Sequence, residues 1–95
     1  MRIGVVAEFA VKEGQMDVFL KNCEELIALT HKEEGCFAYD LYEADDGSGD
    51  LVMLEIWESR EALDKHLQSE HYLRIVPICG ELQSTPAKVR FFNML

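Results

Sequence analysis

The seven residues Leu51–Trp57, LVMLEIW, constrain this chain more than any others. In an extended strand alternate side chains point to opposite faces, so Leu51, Met53, Glu55 and Trp57 share one face while Val52, Leu54 and Ile56 share the other. This stretch is the most hydrophobic of the strand-like segments, and Val52, Leu54 and Ile56 are too apolar to leave wet. The segment before it, Asp45-Asp46-Gly47-Ser48-Gly49-Asp50, is rich in residues that tolerate tight turns. Ser59 just after it suits a helix N-cap, and Glu61 complements the dipole in the first turn.

Similar signals organise the rest of the chain. Residues 2–10 alternate as a strand, with Ile3, Val5, Ala7 and Phe9 on one side. From Gln15 to about Lys32, Met16, Phe19, Leu20, Cys23, Leu26, Ile27 and Thr30 recur at spacings of three and four, the stripe of an amphipathic helix. Gly35 is expected near a left-handed C-cap. A second strand over Cys36–Glu43 sets Phe37, Tyr39 and Leu41 against Cys36, Ala38, Asp40 and Tyr42. The helix after Ser59 carries Leu63, His66 and Leu67 on one face, and Ser69 caps a further helical segment that Pro77 is expected to kink or end. Residues 87–92 read as a closing strand. The order β-α-β-β-α-β predicts one α+β domain of ferredoxin-like type over residues 1–95. Its sheet has helices on one face only, and stacking a second copy on the other face gives a homodimer with a composite β-barrel.

Composition narrows the partners. Eighteen acidic residues against nine basic give a net charge of -9, which repels phosphate backbones and anionic lipid. Nucleic acid and membrane are therefore excluded as expected partners. Cys23, Cys36 and Cys79 form no CxxC pair and read as reduced thiols of a cytoplasmic protein. The apolar run near the N-terminus is broken by Glu8 and reads as a strand and not a signal peptide.

Several side chains on this framework carry potential chemistry. Glu55 in mid-strand requires a cation, a histidine or a water-lined cavity. It is either half of a structural ion pair or a pocket base of raised pKa. Trp57 is a core residue, a wall for a flat ring, or both. His66 faces inward, as a satisfied core group or as a proton carrier; His71 is a cap or a polar lid over the pocket. His31 ends the first helix and reads as structural. Lys88 and Arg90 share parity, and Arg90 either binds an anionic substrate oxygen or pairs with the acidic surface. Tyr39 and Tyr42 have opposite parity, so one of them at most faces a pocket; Tyr39 is taken as the substrate-side ring. The spacing of His66 and His71 matches no standard metal motif, and no metal ligand is assigned.

The order of elements, the segment EEGCFAYDLY, and the run LEIWESREALDKHLQSEH together resemble the antibiotic biosynthesis monooxygenase family, from VVAEFAVKEG to VRFFN. The resemblance implies a dimeric α+β barrel with a pocket in each subunit. It also implies oxidation of quinols or polyphenols by molecular oxygen without metal or flavin, and so no cofactor. The chain looks closest to small quinol monooxygenase-like members. It is also similar to the isomerase of the phosphorylated autoinducer-2 dione, in HY near 71 and RFFN near 90. The haem-degrading branch needs an Asn where this chain has Ala7 and Glu8, which argues against haem chemistry. The expected function is monooxygenation of a small aromatic quinol, with Glu55 or His66 as base, Trp57 holding the ring, and His71 or Arg90 on the oxyanion. Isomerisation of a small dicarbonyl or hydroxyketone, and ligand binding without turnover, are the alternatives.

Overall fold

A computed structural model describes residues 1–95. Strand β1 (Ile3–Phe9) leads into helix α1 (Met16–Thr30), and β2 (Cys36–Glu43) and β3 (Leu51–Trp57) follow. Helices α2 (Arg60–Leu67) and α3 (Glu70–Glu81) precede the last strand, β4 (Lys88–Asn93). The strands form one sheet in the order β2-β3-β1-β4, every pair antiparallel. This is the expected ferredoxin-like α+β order, with the second helix divided in two at Gln68 and Ser69.

The division is written in two serines. The Ser59 hydroxyl accepts the Ala62 N–H at 3.2 Å to start α2, and the Ser69 hydroxyl accepts the Tyr72 N–H at 3.3 Å to start α3. Pro77 does not end α3, which runs on to Glu81. The proline removes the N–H that would meet the Leu73 carbonyl, but Pro77 and Leu73 are both exposed and water can serve that oxygen. Phe19, Cys23 and Leu26 of α1, with Ile75 and Cys79 of α3, close over Ile3, Val5 and Ala7 of β1 and Met53 and Trp57 of β3.

Strand β2 departs from simple alternation. Cys36 pairs with Trp57 and Ala38 with Ile56, so Phe37 is an extra residue opposite one step of β3. The bulge puts Cys36 opposite Trp57 and turns half-exposed Phe37 outward, where the Arg2 guanidinium lies 4.4 Å from its ring centre. Tyr39 and Leu41 keep the inward parity, opposite Glu55 and Met53.

The other sheet face carries Val6, Val52, Ile56, Leu54 and Phe92, the last two exposed, with no layer of this chain over it. After α3, the Lys12 N–H bonds to the Leu82 carbonyl, Val11 bridges Gln83, and the Ser84 N–H bonds to the Ala10 carbonyl. These contacts set the register in which β4 runs along β1.

Gly35 is left-handed, as expected, but lies beyond the α1 C-cap at His31, in the loop entering β2. Its φ is +83°, and an added Cβ would stand 2.8 Å from the Ala62 Cβ. Gly35→Ala is expected to cost on the order of 2–4 kcal/mol, from left-handed strain plus overpacking. Gly14→Ala, with φ +80° and open space around it, should cost about 1–2 kcal/mol from strain alone. Urea midpoints of the two variants check the difference, and equal losses would contradict the contact with Ala62.

Candidate active site

Between the helix layer and the sheet lies a cavity of about 110 Å³. Its wall is almost entirely apolar, with Val5, Phe19, Met53, Leu63 and Val76 among the lining residues. The polar groups on it come from Glu55, His66, Tyr39 and Tyr72. On the β4 side the wall is Val89 and Phe91, both about half exposed and the most exposed of the lining residues.

Strand parity delivers Glu55 inward, and its neighbour two residues on receives it. The Trp57 Nε1–H donates to Glu55 Oε1 at 2.9 Å, which leaves Oε2 without a partner in the chain. Burial pushes the Glu55 carboxyl up to about 7; the hydrogen bond from Trp57 opposes the shift, and the nearby Glu33 charge adds to it. This carboxyl therefore exchanges its proton close to neutrality.

His66 sits in an aromatic cage. The Trp57 ring centre is 4.6 Å away and tilted by 35°, while Tyr39 and Tyr72 approach edge-on at 5.1 and 5.0 Å. Burial lowers the His66 pKa, against the hydrogen bond and charge of Glu33, which raise it. Glu33 Oε2 lies 2.7 Å from His66 Nδ1 and 2.7 Å from His71 Nε2, so one oxygen joins α2 and α3 to the α1–β2 loop. Burial also raises the Tyr39 and Tyr72 phenols, which stay protonated as neutral donors. Cys23 and Cys79 complete the helix side of the wall, and the neighbouring Cys79 thiol together with burial raises Cys23.

The structure brings Glu55, His66 and Tyr39 together on one cavity. It places three other expected site residues elsewhere. Trp57 is fully buried and is not part of the cavity wall; its indole backs His66 and holds Glu55. His71 is also off the wall; it shares Glu33 Oε2 with His66, and its ring centre lies 6.1 Å from that of His66. Arg90 pairs in register with Val6, on the outer face of the sheet, with its guanidinium 4.9 Å from the Phe92 ring centre. Lys88, opposite Glu8, is on that face as well, so no cation faces the cavity from β4. His31 is structural: its Nε2 is 2.9 Å from the Tyr39 carbonyl and 3.3 Å from Asp40.

Sequence reasoning missed Glu33 and Tyr72. Tyr72 follows the Ser69 cap by three residues, a spacing that could have placed it at the start of α3 facing His66. Glu33 opens the segment EEGCFAYDLY that carries part of the family resemblance, but as one of two adjacent acids in a polar loop it shows no local sign of facing a histidine.

Comparison with known proteins agrees with this architecture. The profile of the family described as antibiotic biosynthesis monooxygenase matches residues 2–77. The chain belongs to the antibiotic biosynthesis monooxygenase family. Rv0793 of Mycobacterium tuberculosis is 39% identical over 87 residues, covering 92% of this chain and 85% of that protein. The solved structure of Rv0793 superposes with a TM-score of 0.94 at 36% identity, over 100% of this chain and 96% of that one. YcnE of Bacillus subtilis is 32% identical over 83 residues, 87% of each chain, and both relatives carry monooxygenase in their names. A conserved protein from Methanosarcina mazei Go1 gives a TM-score of 0.95 at 33% identity, covering 98% of this chain and 92% of that one. No helix of this family member is long and apolar enough to cross a membrane.

Glu55 gives stability a definite pH dependence. Its folded pKa of about 7 lies above the ordinary 4.5, so between those values the folded chain holds more protons than the unfolded one. The contribution is full below 4.5 and is lost as pH rises through 7. Glu55→Gln is expected to remove this decline and to be the more stable form above neutrality, by on the order of 2–3 kcal/mol. Denaturation of both proteins across pH checks it; parallel curves would mean that Glu55 ionises freely in the fold.

Proposed function

We propose that this protein oxygenates a small, neutral, single-ring quinol or phenol with molecular oxygen, using a base on the cavity wall and no cofactor. The observation that carries the proposal is the pairing of Glu55 and His66 on an otherwise apolar cavity. A cavity of about 110 Å³ is of the order that holds one aromatic ring, since an apolar cavity of about 150 Å³ accepts benzene. The family and the names of two relatives point to monooxygenation.

In this reaction a base takes a phenolic proton, and the electron-rich phenolate passes one electron to oxygen. The radical pair recombines at a ring carbon to a hydroperoxide, which loses water to leave a new carbonyl on the ring. The two hydrogens of that water come from the substrate, so no outside reductant enters. Glu55 and His66 are the proton carriers at the cavity, and the Tyr39 and Tyr72 phenols donate to substrate oxygens. A phosphorylated isomerase substrate is disfavoured, because no Lys or Arg lines the cavity.

The assembly belongs to the same proposal. The outer sheet face is too apolar to stand in water, and a second copy of the chain stacked on it gives a homodimer with a cavity in each subunit. A reducing cytoplasm suits the three free thiols.

Oxygen consumption over a panel of single-ring quinols tests the function. Uptake is expected for the folded protein, with His66→Ala and Glu55→Gln each lowering kcat about 10²-fold or more. Conversion of a hydroxyketone without oxygen uptake would select isomerisation. Saturable quinol binding with no turnover would leave a ligand-binding protein.

A further inference from the structure

Glu33 takes no part in the cavity wall, yet both site-side histidines point a ring nitrogen at one of its oxygens. A carboxylate oxygen only accepts, so the nitrogen facing it must carry hydrogen. For His66 that nitrogen is Nδ1, and a neutral imidazole protonated at Nδ1 keeps its lone pair on Nε2. Nε2 has no partner in the chain, and His66 is the histidine that lines the cavity.

We propose that Glu33 is the positioning residue of the site: by accepting the Nδ1–H of His66 it fixes the tautomer whose Nε2 lone pair is presented to the cavity, which makes His66 the base. This rests on the proposed oxygenation only for what the lone pair does. Free neutral histidine favours hydrogen on Nε2, the form in which His66 would be useless as a base, so the carboxylate reverses the ordinary preference.

Glu33 is itself held in place. Its N–H bonds to the Thr30 carbonyl at 3.0 Å, and its carbonyl accepts the Cys36 N–H at 3.3 Å. His71 donates to the same Oε2 from α3 and keeps the carboxylate from swinging away. The side chain is 16% exposed, so the bond to His66, which is 1% exposed, is largely shielded from water. The other titratable groups around His66 are Tyr39 from β2, Glu55 from β3, and His71 and Tyr72 from α3. None of these is hydrogen-bonded to its ring.

Two histidines and a carboxylate also form a metal-ligand set, with donor atoms all within 4.8 Å. The separations favour hydrogen bonds. Ligands about 2.0–2.1 Å from a zinc-like ion stand about 3 Å or more from one another at tetrahedral angles, whereas both contacts to Glu33 are 2.7 Å.

Long-range proton–nitrogen correlation on ¹⁵N-histidine-labelled protein, at mildly alkaline pH, reads the tautomer directly. The expected result is hydrogen on Nδ1 of His66 in the parent protein and on Nε2 in Glu33→Ala. Hydrogen on Nε2 in the parent, or a tautomer unchanged in Glu33→Ala, overturns the proposal. Should Glu33→Ala fail to fold, Glu33→Gln keeps the shape and removes the charge. The His66 titration is then expected to move to lower pH, and kcat to fall on the order of tenfold with KM little changed. An unmoved titration overturns the proposal. Stoichiometric uptake of Co²⁺ with a ligand-field spectrum that Glu33→Ala abolishes would overturn it in favour of a metal site. The tautomer does not depend on turnover. The expected nitrogen signals in a protein that consumes no oxygen would sink the oxygenation and leave the role of Glu33 standing.

Discussion

Placing a carboxylate on the inward face of the best-buried strand is costly, and much of this structure is arranged around Glu55. An isolated charge there would be prohibitive, so the group needs a donor, a void or a proton. It has all three. The indole two residues along the strand supplies the donor, the cavity adjoins the carboxyl, and burial raises the pKa to about 7. Trp57 then becomes the back wall of the His66 cage, so one strand segment positions both Glu55 and His66. Filling the cavity with a larger side chain would remove the space that makes a buried Glu55 tolerable.

Local rules made the framework legible. Alternation from Leu51 to Trp57 places Glu55 inward, spacings of three and four mark the buried face of α1, and Ser59 and Ser69 mark both helix starts. What escaped depends on contacts distant in sequence. The bulge at Phe37 is decided by pairing with β3 and has no signature in CFAYDLYE. Arg90 and Lys88 do share a face, but which face follows from the register of β4 on β1, set by backbone bonds around Val11 and Gln83. Glu33 is the clearest case. Its partners lie 33 and 38 residues away, so a loop that reads as solvated acid becomes the tie between two helices. Trp57 was legible as inward but not in its role, because parity fixes direction and not depth.

Charge is sorted as sharply as polarity. Glu33, Glu34, Glu58 and Glu61 line an open cleft beside α2, with Lys65 their one cationic neighbour there. The cavity wall has no cation, and its carboxyl is neutralised with little cost near pH 7. The field of a chain with net charge -9 disfavours anions at the surface, and the cavity offers none a partner within. Neutral ring substrates meet neither obstacle. In the proposed reaction such a ring loses its proton inside the cavity, with the Tyr39 and Tyr72 phenols as the donors at hand for the anion.

Strand β4 is exposed along its whole length and pairs with β1 alone, yet it supplies Val89 and Phe91 to the cavity wall. An edge strand with few buried contacts belongs to the part of a fold that opens at least cost. The solvent-side wall of the cavity is therefore the piece of the sheet that detaches most readily, while β1 and β3 stay locked beneath the helices. The least buried part of the cavity wall is thus carried by the sheet's own edge, so a change that loosens β4 on β1 reaches the cavity without touching a helix.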